Sequence, residues 1–365
     1  MLNKIPFSES EMQILGQHIN TTMCFGAPPM IYNTPITPRE NIKACLRRDG
    51  SAMWMPAFTD FLQVESRVNR DHIARAEVLD MGPLYPDEEK GGPDMFGVEW
   101  VYVPVAGGSM ENPDNPHLLE DANDWPEKIQ FPDVEAMDWE SCWELNKPLN
   151  ETKRGYFISF QNGLFERLIS FMGFEEAAVA MIDEDQKDAI KALFSRLCDL
   201  YEAMIDKYMV GLTIDGVQIH DDWGSQKSPF FSAETYEEML APYIKRLVNF
   251  AHSRGLWYMQ HSCGHNDMLI SQMAATGMDI WFPQDMNDID SMVEEYGDKV
   301  MLGVYPPMTP PDASDAEIDA AAKSFAEKYA PLLGSKPLCI VNFMCDPRFI
   351  PAVYKHTRII LCGKA

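Results

Sequence analysis

From Tyr156 onward the chain keeps a regular beat of short apolar runs and longer amphipathic ones, and that beat leaves few folds open. Tyr156 to Gln161, Gly216 to His220, Leu256 to His261, Met278 to Phe282, Val300 to Val304 and Leu338 to Phe343 read as strands. Between them, the apolar spacing of Leu164 to Met209 suits two or more helices, and Ala233 to Ser253 suits one broken near Pro242. Asp267 to Ala275, Ile289 to Tyr296, Asp315 to Leu333 and a closing Ile350 to Leu361 read as further helices. Upstream, Ala52 to Phe58 and Val98 to Val103 bring the strands to eight. Strands alternating with helices imply a parallel sheet, and eight such units predict a (β/α)8 TIM barrel. A doubly wound open sheet competes, but its glycine-rich phosphate turn is missing.

No linker or internal repeat divides the chain, so residues 1–365 are expected to form one barrel domain. Ser8-Glu9-Ser10-Glu11 has the capping-box pattern, and Pro38 opens a second run to Leu46. Together they predict a helical extension over residues 1–50. The stretch 107–148 is rich in Asn, Asp, Pro and Trp with little periodicity, and reads as a long insertion over an active site.

A net charge of −26 argues against nucleic acid and anionic membranes as partners, since both attract basic surfaces. The start lacks the apolar core of a secretory signal, and no window reaches the roughly 18 apolar residues of a membrane span. The 8 cysteines follow no disulfide or zinc-knuckle spacing. A reduced, cytoplasmic protein is expected.

In a barrel, chemistry sits at the carboxyl ends of the strands. Those ends carry Gln161-Asn162, His220-Asp221-Asp222, His261 with Cys263, Gln284-Asp285, Tyr305 and Cys345-Asp346. His261 and Cys263 are two apart at the end of a strand, so both project to one side. With Cys345 near the end of the last strand they make a His-Cys-Cys set, which suits a catalytic zinc with one open position. Glu166, Asp222 and Asp285 are candidates for the fourth position, while Cys339 and His265 are weaker rivals for the set.

These segments resemble the uroporphyrinogen decarboxylase-like superfamily from Thr37-Pro38-Arg39-Glu40 through the closing helix. The most specific block is Asp221-Asp222-Trp223-Gly224-Ser225-Gln226, followed by Ser232, Tyr236, Pro242-Tyr243 and Lys245-Arg246, similar to corrinoid-associated members. His261-x-Cys263-Gly264 and Cys345 fall where the zinc-dependent methyltransferases of that superfamily place their ligands. True uroporphyrinogen decarboxylases carry an arginine-bearing segment where this chain reads Pro56-Ala57-Phe58-Thr59-Asp60-Phe61. The resemblance therefore implies methyl transfer between a small methylated substrate, a methoxylated aromatic compound first, and the cobalt of a partner corrinoid protein. It implies zinc on His261, Cys263 and Cys345, with Asp222, Gln226 and Glu166 positioning substrate or protonating the leaving group. Transfer from methyl-cobalt to a thiol, or zinc-free decarboxylation with the Asp pair as acid and base, are the alternatives.

Overall fold

A computed structural model describes residues 4–18, 30–63, 68–75, 87–105, 107–112, 114–342 and 345–365. Strands β1 (Ile14–Gln17) and β2 (Met30–Tyr32) pair antiparallel, and β3 (Phe61–Gln63) follows. Next come β4 (Gly92–Pro93), β5 (Glu99–Val103) and β6 (Gly108–Glu111). The remaining strands are β7 (Gly155–Phe160), β8 (Gly216–His220), β9 (Trp257–His261), β10 (Ile280–Trp281), β11 (Met301–Val304) and β12 (Leu338–Ile340). Seven of them make one sheet in the order β12-β11-β10-β9-β8-β7-β3, with helices between successive members. The pairings β7–β8, β8–β9, β10–β11 and β11–β12 are parallel. Ala57, just ahead of β3, forms a parallel bridge with Ile340 of β12. A parallel sheet in sequential strand order, with helices between its strands, is the topology of a TIM-barrel-like α/β fold.

The strands of this sheet were legible because most are buried on both faces, as in β7, where all six residues are buried. Two of the expected eight are exceptions: Ala52 to Phe58 is no strand, holding only the isolated bridge at Ala57 and the start of a 3-10 turn at Phe58, and the other is Val98 to Val103. It is not in the parallel sheet; as β5 it is the middle of an antiparallel sheet ordered β4-β5-β6. Its side chains give the physical reason: Val98 and Trp100 are buried while Glu99 and Val101 are exposed, the alternation of a strand covered on one side only. The short β3 holds the sheet position instead.

The capping box at Ser8 is present, yet it opens a single 3-10 turn over Glu9–Met12 and the chain then becomes β1. Capping is local chemistry, whereas continuing a helix requires an apolar face to bury, and Ile14 and Leu15 are exposed. The second expected helix forms as read, over Pro38–Leu46. Thr37 and Glu40 bond reciprocally there, Glu40 N donating to Thr37 Oγ1 (3.2 Å) and Thr37 N to Glu40 Oε2 (2.8 Å). The stretch 107–148 holds β6, short helices at Trp125–Lys128 and Trp139–Asn146, and isolated 3-10 turns.

The chain divides into two compact units. One comprises Met1–Leu62, Lys153–Gly155 and Asp279–Ala365, the other Gln63–Thr152 and Tyr156–Met278. In the second, the long helix Lys187–Gly211 buries Ile190, Leu193, Phe194, Leu197, Tyr201, Met204 and Tyr208 along one stripe. Cys198 is buried within this helix and Cys45 within Pro38–Leu46, as small apolar residues. No helix among the described residues is long and apolar enough to cross a membrane.

Candidate metal centre

Two neighbouring strands of the second unit end in the same grammar. β8 ends at His220 and continues to Asp222; β9 ends at His261 and continues to Cys263. The register pairs His220 with His261, and the two rings meet edge to face with centroids 4.6 Å apart. His220 Nε2 lies 3.1 Å from Asp222 Oδ1, and His261 Nε2 lies 3.3 Å from Cys263 Sγ. One nitrogen, sulfur or oxygen from each of the four residues lies within 4.8 Å of all the others. Two imidazoles, a thiolate and a carboxylate are the donor types zinc takes, and the set is compact enough to surround one ion.

Backbone and polar contacts join the two loops that carry Asp222 and Cys263. Cys263 N donates to Asp222 Oδ1 (2.6 Å), Trp223 N to Ser262 Oγ (3.0 Å) and His265 N to Ser225 O (2.8 Å). Asn266 Nδ2 reaches both Ser262 Oγ (3.0 Å) and the Cys263 carbonyl (2.6 Å). Gly264 permits the approach. Its φ is +98°, and a Cβ there would lie 2.3 Å from the Gly224 carbonyl carbon and oxygen.

Charge around the site is uneven. Burial opposes ionisation of Asp222, but His220, His261 and Arg75 outweigh it and hold the carboxyl well below the usual range. Glu166, in the helix Leu164–Met172, is buried and bonded through both carboxylate oxygens to the Arg75 guanidinium. Burial pushes its pKa up to about 8, with Arg75 and His220 opposing.

Asp221 has a different task. Its carboxylate accepts from the backbone N–H groups of Leu164 (3.0 Å), Phe165 (3.1 Å) and Glu166 (2.8 Å). The cap residue of that helix, Gly163, has no side chain to do this, and a Cβ on it would strike Asp221 at 2.3 Å. Asp221→Ala is expected to lower stability by about 3 kcal/mol by orphaning these buried donors. Urea denaturation would measure the loss.

Of the residues singled out by sequence, His261, Cys263 and Asp222 come together, and Glu166 lies within electrostatic reach of Asp222 and His220. Gln226 is exposed in the turn after Ser225, outside the donor group. Asp285 is exposed in the first unit. Cys345 belongs to the first unit too; its thiol donates to the Asn342 carbonyl (3.6 Å), and burial pushes it up to about 11. Phe343 and Met344, beside it, lie outside the described residues. The rival His265 is paired with Asp267 (3.1 Å), and Cys339 is buried inside β12. Sequence placed His220 among the strand-end residues without assigning it as a metal ligand, and did not single out Arg75 or His72. For His220 the signal was available, because His220-x-Asp222 repeats the spacing of His261-x-Cys263.

Strand-end donors on successive members of a parallel sheet define a TIM-barrel-like α/β enzyme scaffold with a centre able to hold a metal. The profile of the uroporphyrinogen decarboxylase (URO-D) family matches residues 93–346, and the chain belongs to that family. Among solved structures, a methyltransferase from Methanosarcina mazei is similar in fold. It is 14% identical, with 89% of this chain and 99% of that chain covered, at a TM-score of 0.54. An endo-beta-1,4-xylanase from Gloeophyllum trabeum is 8% identical, covering 62% of this chain and 82% of its own, at 0.38. A chitinase from Chromobacterium violaceum is 12% identical, covering 68% and 86%, at 0.31. Scores as low as these last two support no functional comparison. No curated protein matches the chain.

Proposed function

We propose that the protein is a zinc-dependent methyltransferase that moves a methyl group between a small methylated substrate and the cobalt of a corrinoid protein, a methoxylated aromatic compound being the first candidate substrate. The observation that carries this reading is the soft, mixed donor group of His220, Asp222, His261 and Cys263 at two adjacent strand ends. Zinc, when bound, supplies a Lewis acid for the heteroatom that carries the methyl group. His261 and Cys263 are its proposed ligands, and Cys345 is retained from the sequence as a third. Asp222 takes the fourth position or, through Cys263 N, holds the ligand loop in place. Glu166, fixed by Arg75 and pushed up to about 8 by burial, is suited to hold a proton for the departing heteroatom. Gln226 is proposed to reach substrate from its exposed turn. The protein is proposed to act in the cytoplasm, where its thiols stay reduced.

The test is direct. Zinc-loaded protein, a reduced Co(I) corrinoid protein and a panel of methoxylated aromatics should yield the absorption spectrum of methyl-cobalt. A panel of methyl donors that leaves the Co(I) spectrum unchanged sinks the reading.

A further inference from the structure

Gln161 directly follows β7, whose Phe160 is in register with Ile219 of β8, so Gln161 falls beside His220. Through the His220–His261 pairing, all three stand in one row across adjacent strand ends. Side chains abreast on parallel neighbours point to the same face of the sheet. Gln161 is fully buried there.

The orientation of its amide is set by a neighbouring ring. His72 Nε2 lies 2.9 Å from the Ser159 carbonyl, which only accepts, so this nitrogen carries the proton. Burial holds the His72 pKa down to about 4, so the ring is neutral and Nδ1 is an acceptor. Gln161 Nε2 therefore donates to Nδ1 (3.3 Å). The opposite end of the amide, Oε1, is buried with no partner among the described residues, and so is Ser159 Oγ two residues back on the same face. Buried acceptors are nearly always satisfied, and one left open beside a catalytic centre points to a ligand that satisfies it.

We propose that Gln161 is a specificity-determining residue, its Oε1 accepting a hydrogen bond from an O–H or N–H group on the substrate. The substrate class narrows accordingly, to methyl donors that carry a hydrogen-bond donor of their own. In calling that ligand a methyl donor, the inference rests on the function proposed above.

Calorimetric titration of the protein with 2-methoxyphenol and with 1,2-dimethoxybenzene tests it, because the second probe replaces the hydroxyl by an ether. The hydroxylated probe is expected to bind at least about 30-fold more tightly, in keeping with sites built to hydrogen-bond a substrate hydroxyl. In Gln161→Met the ratio should fall below about 3-fold, through weaker binding of the phenol. Equal affinities, binding of neither probe, or a Gln161→Met variant that keeps the full ratio each overturn the proposal. Should that variant fail to fold, the wild-type ratio decides alone. The two readings fail separately: preference without methyl transfer sinks the methyltransferase assignment and spares Gln161, whereas methyl transfer without preference does the reverse.

Discussion

Cys263→Ser and His261→Ala are each expected to lose bound zinc and at least about 10^3-fold in methyl transfer, the equivalent of about 4 kcal/mol of Lewis-acid stabilisation. The two side chains lie 3.3 Å apart at the end of one strand, so removing either would leave the proposed ligand set incomplete. His220→Ala should act more mildly. Its ring bonds Asp222 at 3.1 Å, and loss of a group that orients a ligand typically costs about 10- to 100-fold in metal affinity. Cys345→Ser is expected to lower zinc affinity as well, which tests the third ligand taken from the sequence. Elemental analysis after dialysis against a chelator gives the stoichiometry for each variant. A Cys263→Ser, Cys345→Ser double variant that keeps one zinc per chain would remove the proposed site outright.

The second large effect concerns stability. Arg167 is fully buried and bonds Asp94 at 2.6 Å and Asp71 on its other side, with both carboxylates buried. Its guanidinium also stacks 4.7 Å from the Phe96 ring. Asp94 in turn accepts from Phe96 N (2.8 Å), Val98 N (3.0 Å) and Trp100 Nε1 (3.2 Å), so the network ties the antiparallel sheet to the helix Leu164–Met172. Arg167→Ala leaves two carboxylates buried without their counter-charge and is expected to cost about 4 kcal/mol. Even with Arg167 opposing it, burial raises Asp71 to about 6. Without Arg167 the Asp71 carboxyl should sit higher still, above its unfolded value. A raised carboxyl pKa means that the folded state binds more protons than the unfolded one, so stability falls as pH rises. The deficit against wild type should therefore be larger at pH 8 than at pH 5 in urea titrations. A deficit that does not change with pH would show that lost packing, and not unpaired charge, sets the cost.

The features legible in the sequence share one property, that local pattern and tertiary demand agree. Apolar runs such as Tyr156 to Phe160 are buried on both faces and become strands of the parallel sheet, and the spacing of His261 and Cys263 puts them together. Where the two diverge, local pattern misleads. Ser8 caps a turn that has no buried face with which to continue, and Val98 to Val103 is a genuine strand in a different sheet. Arg75 and His72 were beyond reach for another reason. They lie where periodicity is weak, and their partners Glu166 and Ser159 are 91 and 87 residues away in sequence. Nothing local announces such contacts.

The close passage of Gly224 and Gly264 has a bearing on how the proposed centre would take up metal. Zinc fingers spend much of their metal affinity on folding, because their ligands converge only when the ion arrives. Here the loops that carry Asp222 and Cys263 are clasped to each other by main-chain and amide hydrogen bonds, at a point where a Cβ on Gly264 would strike the Gly224 backbone. An ion bound at the proposed centre would have little chain to organise, so its binding energy would stay available for selecting among metals. The same clasp sets a limit on variation, since any side chain at position 264 would force the two loops apart.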